Sequence, residues 1–400
     1  MNICLKDKQT PLYFFDKTGF VENYHELENT FKEIYPNYRV SYSYKTNYTP
    51  YICKTVKELG GYAEVVSDME YTLAKKLGYR NDQIVYNGPA KGELLEEHLL
   101  NHGIVNVDNL GEMQRICDIC DKHKDVAIEV GLRINIDVGG SFISRFGFEF
   151  DGEDYRKAIQ LVDEQENLKI VGIHCHISRA RGLDAWQKRS YFMLAVADSL
   201  FVNPPKYISL GSGMFGKMSD ALLAQFGDCI PTYKDYADAV FKVFAERYKN
   251  ETKKPIVFTE PGTTLIAKYV SFVTRVLDMK TIRGRTIVTV DGSFENLGEI
   301  CSLKKLPFEV ISCGGKNVSV KNADIMGYTC LEQDVMYDNF CGDLAIGDIL
   351  VFENVGGYSI VSKPQFIQPN CAMYAIDFDK TEIEILRKET FEDVFAKFKF

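Results

Sequence analysis

Short runs rich in β-branched and aromatic residues alternate with amphipathic segments over the first two-thirds of this chain. The segments between the runs, such as TPYICKTVKELG and GELLEEHLLNHG, have the period of a helix. Strands separated by helices pair in parallel, and eight of them within roughly 230 residues indicate a closed (β/α)8 barrel rather than an open sheet. The predicted strands span residues 38–45, 62–67, 83–88, 104–109, 126–136, 169–178, 206–212 and 255–262.

After residue 266 the pattern changes to strand-like runs that are separated by turns, with little helix between them. The segment TPLYFFD (10–16) is also strand-like, and we expect it to join this second region. The predicted fold class is α/β, with a TIM-like (β/α)8 barrel over residues 17–265 and a mainly antiparallel β-domain formed by residues 1–16 and 266–400. The predicted strands of the β-domain are 269–280, 286–293, 308–313, 318–330, 348–361 and 371–379.

Charge and composition argue against several classes of protein. The 47 basic and 56 acidic residues give a net charge of −9, whereas sequence-independent binding of nucleic acid needs a basic face. No apolar run reaches the roughly 18 residues of a membrane span, and MNICLKDKQTP lacks the apolar core of a signal peptide. The eleven cysteines form no disulfide framework, and Cys117 with Cys120 lies in a helical pattern where packed thiols are expected. We therefore predict a cytoplasmic protein that binds neither nucleic acid nor membranes.

Polar groups follow almost every predicted barrel strand, at the end where barrel active sites form. A lysine, carboxylates, imidazoles and a glycine turn that converge on one mouth suit a phosphorylated cofactor bound through an imine. The strand-end groups are Lys45, Glu64 with Ser67, Asn87, Asp108, Arg133, His174 with His176, Gly211-Ser212-Gly213, and Glu260.

Each of these groups has a chemical role in such a site. Lys45 would form the imine, Glu260 would keep a pyridine nitrogen protonated, and the glycine turn would offer backbone N–H groups to a phosphate. A solvated lysine and a carboxylate in a salt bridge remain open as alternatives. His174 and His176 lie two residues apart on one predicted strand; we expect them to point to opposite sides of it, and we predict no metal site.

Eight motifs in order resemble the fold-type III pyridoxal-phosphate decarboxylases, which include ornithine and diaminopimelate decarboxylases. The resemblance covers nearly all 400 residues. The motifs are SYSYKTN around Lys45, AEVVS (63–67), SRFGF (144–148), GIHCHIS (172–178), LGSG (210–213), EPG (260–262), GYTCLEQD (327–334) and GDILVFENVGGY (347–358).

The resemblance implies the alanine racemase/decarboxylase type of fold, pyridoxal 5′-phosphate as cofactor, and a homodimer with shared active sites. Lys45 matches the Schiff-base lysine, and Cys330 matches a cysteine that crosses from the partner subunit to govern protonation. The implied cofactor contacts are His176 on the ring face, Glu260 at the pyridine nitrogen, Gly211, Ser212, Gly213 and Tyr358 at the phosphate, and Glu64, Glu70 and Arg133 as supporting charges.

The departures from the family pattern concern the phosphate and the substrate. Thr263 follows EPG where arginine is usual, so we expect Thr263 to contact the phosphate and Arg179 or Arg181 to neutralise it. Leu331 stands where diamine-forming members have an acid, and an unpaired substrate ammonium there would cost several kcal/mol. Glu332 and Asp334 are the acids that remain near Cys330 as candidate substrate contacts.

These departures favour an amino-acid substrate with an anionic or extended distal group, of the siderophore, antibiotic or carrier-linked kind. An alternative is a diaminopimelate, lysine or ornithine decarboxylase with an altered pocket. A second alternative is an amino-acid racemase or an inactive cofactor-binding homologue. The cations expected near the mouth are Arg179, Arg181, Lys188, Arg189, Lys304 and Lys305.

Overall fold

Two sheets contain the strands that the structure describes. It is a computed structural model, and it describes residues 5–139, 143–177, 180–227 and 229–400. The strands are β1 (Leu12–Asp16), β2 (Tyr38–Ser43), β3 (Tyr62–Val65), β4 (Ile84–Tyr86), β5 (Ile104–Val107), β6 (Ile128–Asn135), β7 (Phe148–Glu149), β8 (Leu168–His174), β9 (Tyr207–Ser209), β10 (Ile256–Thr259), β11 (Val270–Ile282), β12 (Arg285–Val290), β13 (Phe308–Ile311), β14 (Val318–Met326), β15 (Val335–Leu344), β16 (Ile349–Phe352), β17 (Ala372–Ile376) and β18 (Glu382–Leu386). The α-helices are α1 (Lys17–Ile34), α2 (Pro50–Glu58), α3 (Asp68–Lys76), α4 (Leu95–Leu100), α5 (Leu110–Lys122), α6 (Glu153–Asp163), α7 (Leu183–Leu200), α8 (Asp220–Leu223), α9 (Tyr233–Tyr236), α10 (Lys242–Arg247), α11 (Thr263–Ile266) and α12 (Phe391–Phe395).

The first sheet closes into a parallel barrel. Its strands follow the order β5-β4-β3-β2-β10-β9-β8-β6, and β5 also pairs with β6, which closes the ring. The residues of β2 are buried almost throughout, as expected for parallel strands that are covered on both faces. The predicted (β/α)8 barrel is therefore confirmed. The strands end before the predicted ones do, so Lys45 and His176 lie just beyond the sheet.

Helix capping begins directly after two of the barrel strands. Ser67 accepts a hydrogen bond from the backbone N–H of Glu70 and starts α3, and Asn109 does the same for Glu112 in α5. In both cases the glutamate reaches back to the residue before the cap, as Glu70 Oε2 accepts from the Val66 N–H at 2.7 Å. This local chemistry buries two carboxylates at strand ends.

The second sheet is mixed. Its strands follow the order β15-β14-β12-β11-β1-β17-β18, and β16 pairs with both β11 and β13. Most pairings are antiparallel, but β1 pairs in parallel with β17, and β12 with β14. The opening strand β1 lies between β11 and β17, and its LYFF residues are buried. β15 and β18 were not predicted because VMYDNFCGDL and EIEIL carry charged or turn-favouring residues, which strands usually avoid.

The chain divides into two compact units. One contains the described residues of Met1–Asn23, Gly216–Asp228 and Leu265–Phe400, and the other those of Tyr24–Phe215 and Cys229–Thr264. The first turns of α1 and the segment around α8 thus group with the second sheet, outside the predicted boundaries. None of the described helices combines the length and the apolarity that a bilayer crossing needs. Cys117 and Cys120 are buried free thiols, which confirms that they pack in the core.

Gly172 on β8 faces Tyr207 on β9 in the barrel. A Cβ at residue 172 would lie 2.4 Å from Tyr207 Cζ. We expect Gly172→Ala to lower the free energy of unfolding by about 1–3 kcal/mol, because the buried ring must shift. Gly111→Ala is the control, since its Cβ would meet only Asn109 Oδ1, at 3.5 Å. Urea unfolding of both variants checks this, and equal stability of the two would contradict it.

Candidate active site

The amine of Lys45 is held by a buried carboxylate. Lys45 lies in the 3-10 turn Tyr44–Thr46 after β2, and its Nζ is 2.7 and 3.0 Å from the two carboxylate oxygens of Glu64. Glu64 also accepts from Ser43 Oγ at 2.5 Å. The Lys45 side chain is 31% exposed and that of Glu64 only 1%. The Lys45 side chain is therefore partly exposed while its amine is held by a buried anion, unlike that of a solvated strand-end lysine.

Glu260 is a second buried carboxylate, one residue after β10. Its side chain is 1% exposed, and it accepts hydrogen bonds from Ser209 Oγ at 2.8 Å and Asn87 Nδ2 at 3.0 Å. His174 Nε2 lies 3.1 Å from the carboxylate and His176 Nδ1 lies 3.3 Å from it. Burial raises the pKa of Glu260, but the two histidines outweigh burial and hold its pKa well below the usual value. Glu260 is therefore ionised.

The two histidines point to the same group, so the prediction of opposite sides is wrong. Residues two apart along a strand point to the same face, so the alternation rule itself places both histidines on one side, although β8 ends at His174. The rings are 24° from parallel, with centroids 6.5 Å apart. Burial lowers the pKa of His176 to about 4, against a smaller opposing effect of Glu260. His176 is therefore neutral near pH 7.

The donor atoms of His174, His176 and Glu260 lie within 4.8 Å of one another, which by geometry could hold a metal ion. A metal-bound histidine usually donates from its second ring nitrogen to a partner. His174 Nδ1 is buried and has no hydrogen-bond partner among the described residues. The arrangement thus fits a hydrogen-bonded carboxylate better than a metal centre, and the absence of a metal remains a prediction.

The glycine turn after β9 needs both of its glycines. Gly211 has φ +61° and Gly213 has φ +99°. A Cβ at Gly211 would lie 2.5 Å from the Cys175 carbonyl oxygen and 2.8 Å from His176 Nδ1. A side chain at Gly211 would therefore displace the backbone that carries the histidines.

Arg189 supports this turn from below. Its guanidinium donates to the carbonyls of Leu210 at 2.8 Å and Ser212 at 2.9 Å, and it lies 4.0 Å from the centre of the Trp186 ring. The residue is fully buried. Its expected place among cations at a mouth is therefore wrong: Arg189 braces the backbone and does not face solvent.

The buried pair Lys91 and Glu112 was not identified from the sequence. Lys91 Nζ is 2.6 Å from Glu112 and donates to the carbonyl of Asn106 at 2.8 Å. Burial lowers the pKa of Lys91, and Glu112 opposes this effect. Next to it, Arg133 Nη1 donates to Asp108 at 3.0 Å. The Asn109-x-x-Glu112 capping pattern was the signal that could have indicated the buried glutamate.

Three of the remaining predicted cofactor residues, Thr263, Arg181 and Tyr358, lie in the described part of the chain. Thr263 begins the short helix α11, and the Arg181 guanidinium lies 5.6 Å from the Phe215 ring centre. Arg179 lies outside the described residues. Tyr358 is half-buried in the other unit, with φ +54°.

The turn that carries Cys330 also belongs to the other unit, and the thiol is exposed. Asp334 is fully buried, where it accepts from the Phe294 N–H at 2.8 Å and from Thr329 Oγ1 at 2.6 Å. The expectation that Asp334 contacts substrate is therefore wrong, because its carboxylate shapes the turn. Leu331 is half-buried and Glu332 is exposed.

The barrel and its strand-end lysine, carboxylates and histidines define the class of enzyme that holds an aldehyde cofactor through an amine. A family model described as the pyridoxal binding domain of pyridoxal-dependent decarboxylases matches residues 21–267. The chain belongs to this family of pyridoxal-phosphate decarboxylases, as the motifs indicated.

Curated relatives match along nearly the whole chain. The diaminopimelate decarboxylase of Methanocaldococcus jannaschii is 26% identical over 97% of this chain and 91% of its own. That of Neisseria meningitidis serogroup A is 26% identical over 97% and 94%.

Solved structures share the fold. A crystal structure of diaminopimelate decarboxylase from M. jannaschii has a TM-score of 0.85 at 24% identity, and covers 99% of this chain and 93% of its own. Lysine decarboxylase from Selenomonas ruminantium has a TM-score of 0.70 at 22% identity, with 94% and 95% covered.

Glu70 generates a prediction about pH. It is 4% exposed, and burial raises its pKa to about 7, although the Val66 N–H partly offsets this. An unfolded glutamate has a pKa near 4.5, so as the pH rises the unfolded state releases this proton before the folded state does. The free energy of unfolding of the wild-type protein therefore falls between about pH 4.5 and pH 7. Glu70→Gln removes this loss, so its advantage over wild type should grow by up to about 3 kcal/mol between about pH 5 and pH 8.

Urea unfolding at the two pH values measures this difference. Glu58→Gln is the control, because the Glu58 side chain is 57% exposed on α2. The same Glu70→Gln advantage at both pH values would contradict the raised pKa.

Proposed function

We propose that this chain decarboxylates a diamino acid of the diaminopimelate, lysine or ornithine kind, with diaminopimelate as the first candidate. The observation that carries the proposal is the connected group of Lys45, Glu64, Asn87 and Glu260 at the carboxyl ends of the barrel strands. It lies in a chain of the pyridoxal-dependent decarboxylase family whose curated relatives are named diaminopimelate decarboxylases.

The donor set fits pyridoxal 5′-phosphate. When bound, the cofactor supplies a carbonyl that condenses with amines and a ring that accepts the electron pair left by departing CO2. Lys45 would supply the amine for the linkage, and Glu64, which binds the Lys45 Nζ, can accept or return a proton there. Glu260, kept ionised by its histidines, would hold a proton on the ring nitrogen. His176 would lie neutral against the ring face.

The phosphate would bind at the turn Gly211-Ser212-Gly213, together with Thr263, Tyr358 and either Arg179 or Arg181. Support comes from the positive φ angles of the two glycines and from the brace that Arg189 supplies. Arg133, paired with Asp108, is a supporting charge rather than a free ligand.

The diamino acid is preferred to the anionic substrate because several of the expected cations are engaged elsewhere. Arg189 is buried against carbonyls, and Lys305 Nζ lies 2.5 Å from Asp338. Lys304 donates to the Gln225 carbonyl. The exposed Glu332 would take the place of the acid that Leu331 replaces, and would bind a distal ammonium.

A substrate panel tests the reaction. Purified enzyme with pyridoxal 5′-phosphate is given meso-diaminopimelate, L-lysine, L-ornithine or an Nε-acylated lysine, and CO2 and amine are measured. We expect kcat/KM for diaminopimelate to exceed the others by at least about tenfold, and Lys45→Ala to release no CO2. Turnover of the acylated substrate alone would favour the extended-substrate alternative. Inversion of the substrate's α-carbon without release of CO2 would identify a racemase. If no substrate is changed, the protein is an inactive homologue.

We further propose that the enzyme is a homodimer in which Cys330 completes the partner's site and delivers the proton that replaces CO2. The exposed thiol and the turn that Asp334 shapes support this role.

Mixed subunits test the shared site. Lys45→Ala and Cys330→Ala homodimers should each be impaired, the second through slow or misdirected protonation. After the two are unfolded and refolded together, random pairing gives mixed dimers with one intact site, and activity should recover to about a quarter of the wild-type value. Cys341→Ala, at another exposed thiol, is the control and should stay active. No recovery in the mixture, although mixed dimers form, would show that Cys330 serves its own subunit.

A further inference from the structure

Asn87 is the first residue after β4, and its amide touches both buried carboxylates of the site. The Nδ2 atom donates to Glu64 Oε1 at 3.1 Å and to Glu260 Oε1 at 3.0 Å. An amide nitrogen carries two hydrogens, so each carboxylate receives one. The carboxylate that holds Lys45 and the carboxylate that the histidines hold are thus joined through one side chain.

Other buried groups set the orientation of this amide. Asn106 Nδ2 donates to Asn87 Oδ1 at 2.8 Å, and the Tyr207 hydroxyl donates to Asn106 Oδ1 at 2.9 Å. Asn87, Asn106 and Tyr207 are 3%, 1% and 5% exposed. A flipped Asn87 amide would place its oxygen against both anions and its nitrogen against another donor. The two carboxylates, which only accept, therefore require the orientation in which Asn87 donates to both, and Asn106 and Tyr207 hydrogen-bond in accord with it.

We propose that Asn87 is a positioning residue that couples the proton held at Lys45 to the proton held at the cofactor's ring nitrogen. The inference rests on the proposed roles of Lys45, Glu64 and Glu260. Asn87 touches neither the amine nor the cofactor in this role, and acts only through the two carboxylates.

The coupling follows from electrostatics. Two buried anions close together each resist ionisation of the other, and a shared donor relieves both. Without it, the negative charge of Glu64 is less neutralised, which favours a proton on the nitrogen that joins Lys45 to the cofactor. Glu260 becomes harder to ionise, and a less protonated ring raises the proton affinity of that same nitrogen. Both effects raise the proton affinity of the nitrogen that joins Lys45 to the cofactor. The other charged or titratable groups that the described residues bring to the pair include Lys45 and Glu70 beside Glu64, and His174, Cys175, His176, Arg189 and Tyr207 beside Glu260.

The experiment compares Asn87→Leu and Asn87→Asp with wild-type holoenzyme. The first readout is the pH titration of the visible absorption band of the bound cofactor, which needs no substrate. We expect its midpoint to move to higher pH by about one unit or more. The second readout is turnover, where kcat should fall roughly 10- to 100-fold with a smaller change in KM. Asn81→Leu is the matched control, since Asn81 is also a buried amide, bonded to Tyr71 and Lys75.

An unmoved titration in folded Asn87→Leu would overturn the inference, as would an equal shift in Asn81→Leu. Where Asn87→Leu does not fold, Tyr207→Phe decides. It removes one hydroxyl at the far end of the chain, and a midpoint identical to wild type then rejects the coupling. Because the titration needs no substrate, its midpoint can still be interpreted if the decarboxylation assay shows no turnover.

Discussion

The arrangement of the carboxyl ends of the barrel strands depends on the buried carboxylate of Glu260, whose charge has to be stabilised by several hydrogen bonds. A carboxylate removed from water without partners is too costly to retain. Its donors come from the ends of different strands: Asn87 after β4, His174 on β8, and Ser209 on β9. Because the carboxyl ends of parallel strands meet at one mouth of a barrel, these residues converge although they are far apart in sequence. The anion thus fixes the relative position of four strand ends, its own included.

Two glycines in the barrel wall are as important for this site as its polar groups. A Cβ at Gly131 would lie 2.2 Å from the Tyr207 hydroxyl oxygen, and one at Gly172 would meet the same ring. The two glycines leave the space through which the phenol reaches Asn106. The Tyr207 hydroxyl therefore links the packing of the barrel to the polar network, because it fills the space that the glycines leave and also hydrogen-bonds to Asn106, the first amide of that network.

Most of the barrel and many of its strand-end groups could be predicted from the sequence, because alternating periodicity and parallel pairing constrain where side chains go. Lys45 and Glu260 were recognised for this reason. Features set by tertiary contacts could not be predicted. Arg189 lies in a helical pattern like that of a surface cation, and only the fold brings Leu210 and Ser212 carbonyls to it. The role of Asp334 was likewise hidden, since no local pattern shows which amides a carboxylate will accept from.

The two capping glutamates show how one local motif acquires different properties. Glu70 and Glu112 both lie three residues after a cap and accept from the N–H preceding it. Glu112 meets the buried Lys91 at 2.6 Å, so its charge is balanced within the wall. Glu70 instead shares its surroundings with Glu64, and burial raises its pKa to about 7. The sequence pattern is nearly the same in both helices, and the fold decides that Glu112 is paired with a lysine whereas Glu70 lies beside a second carboxylate, with its pKa raised mainly by burial.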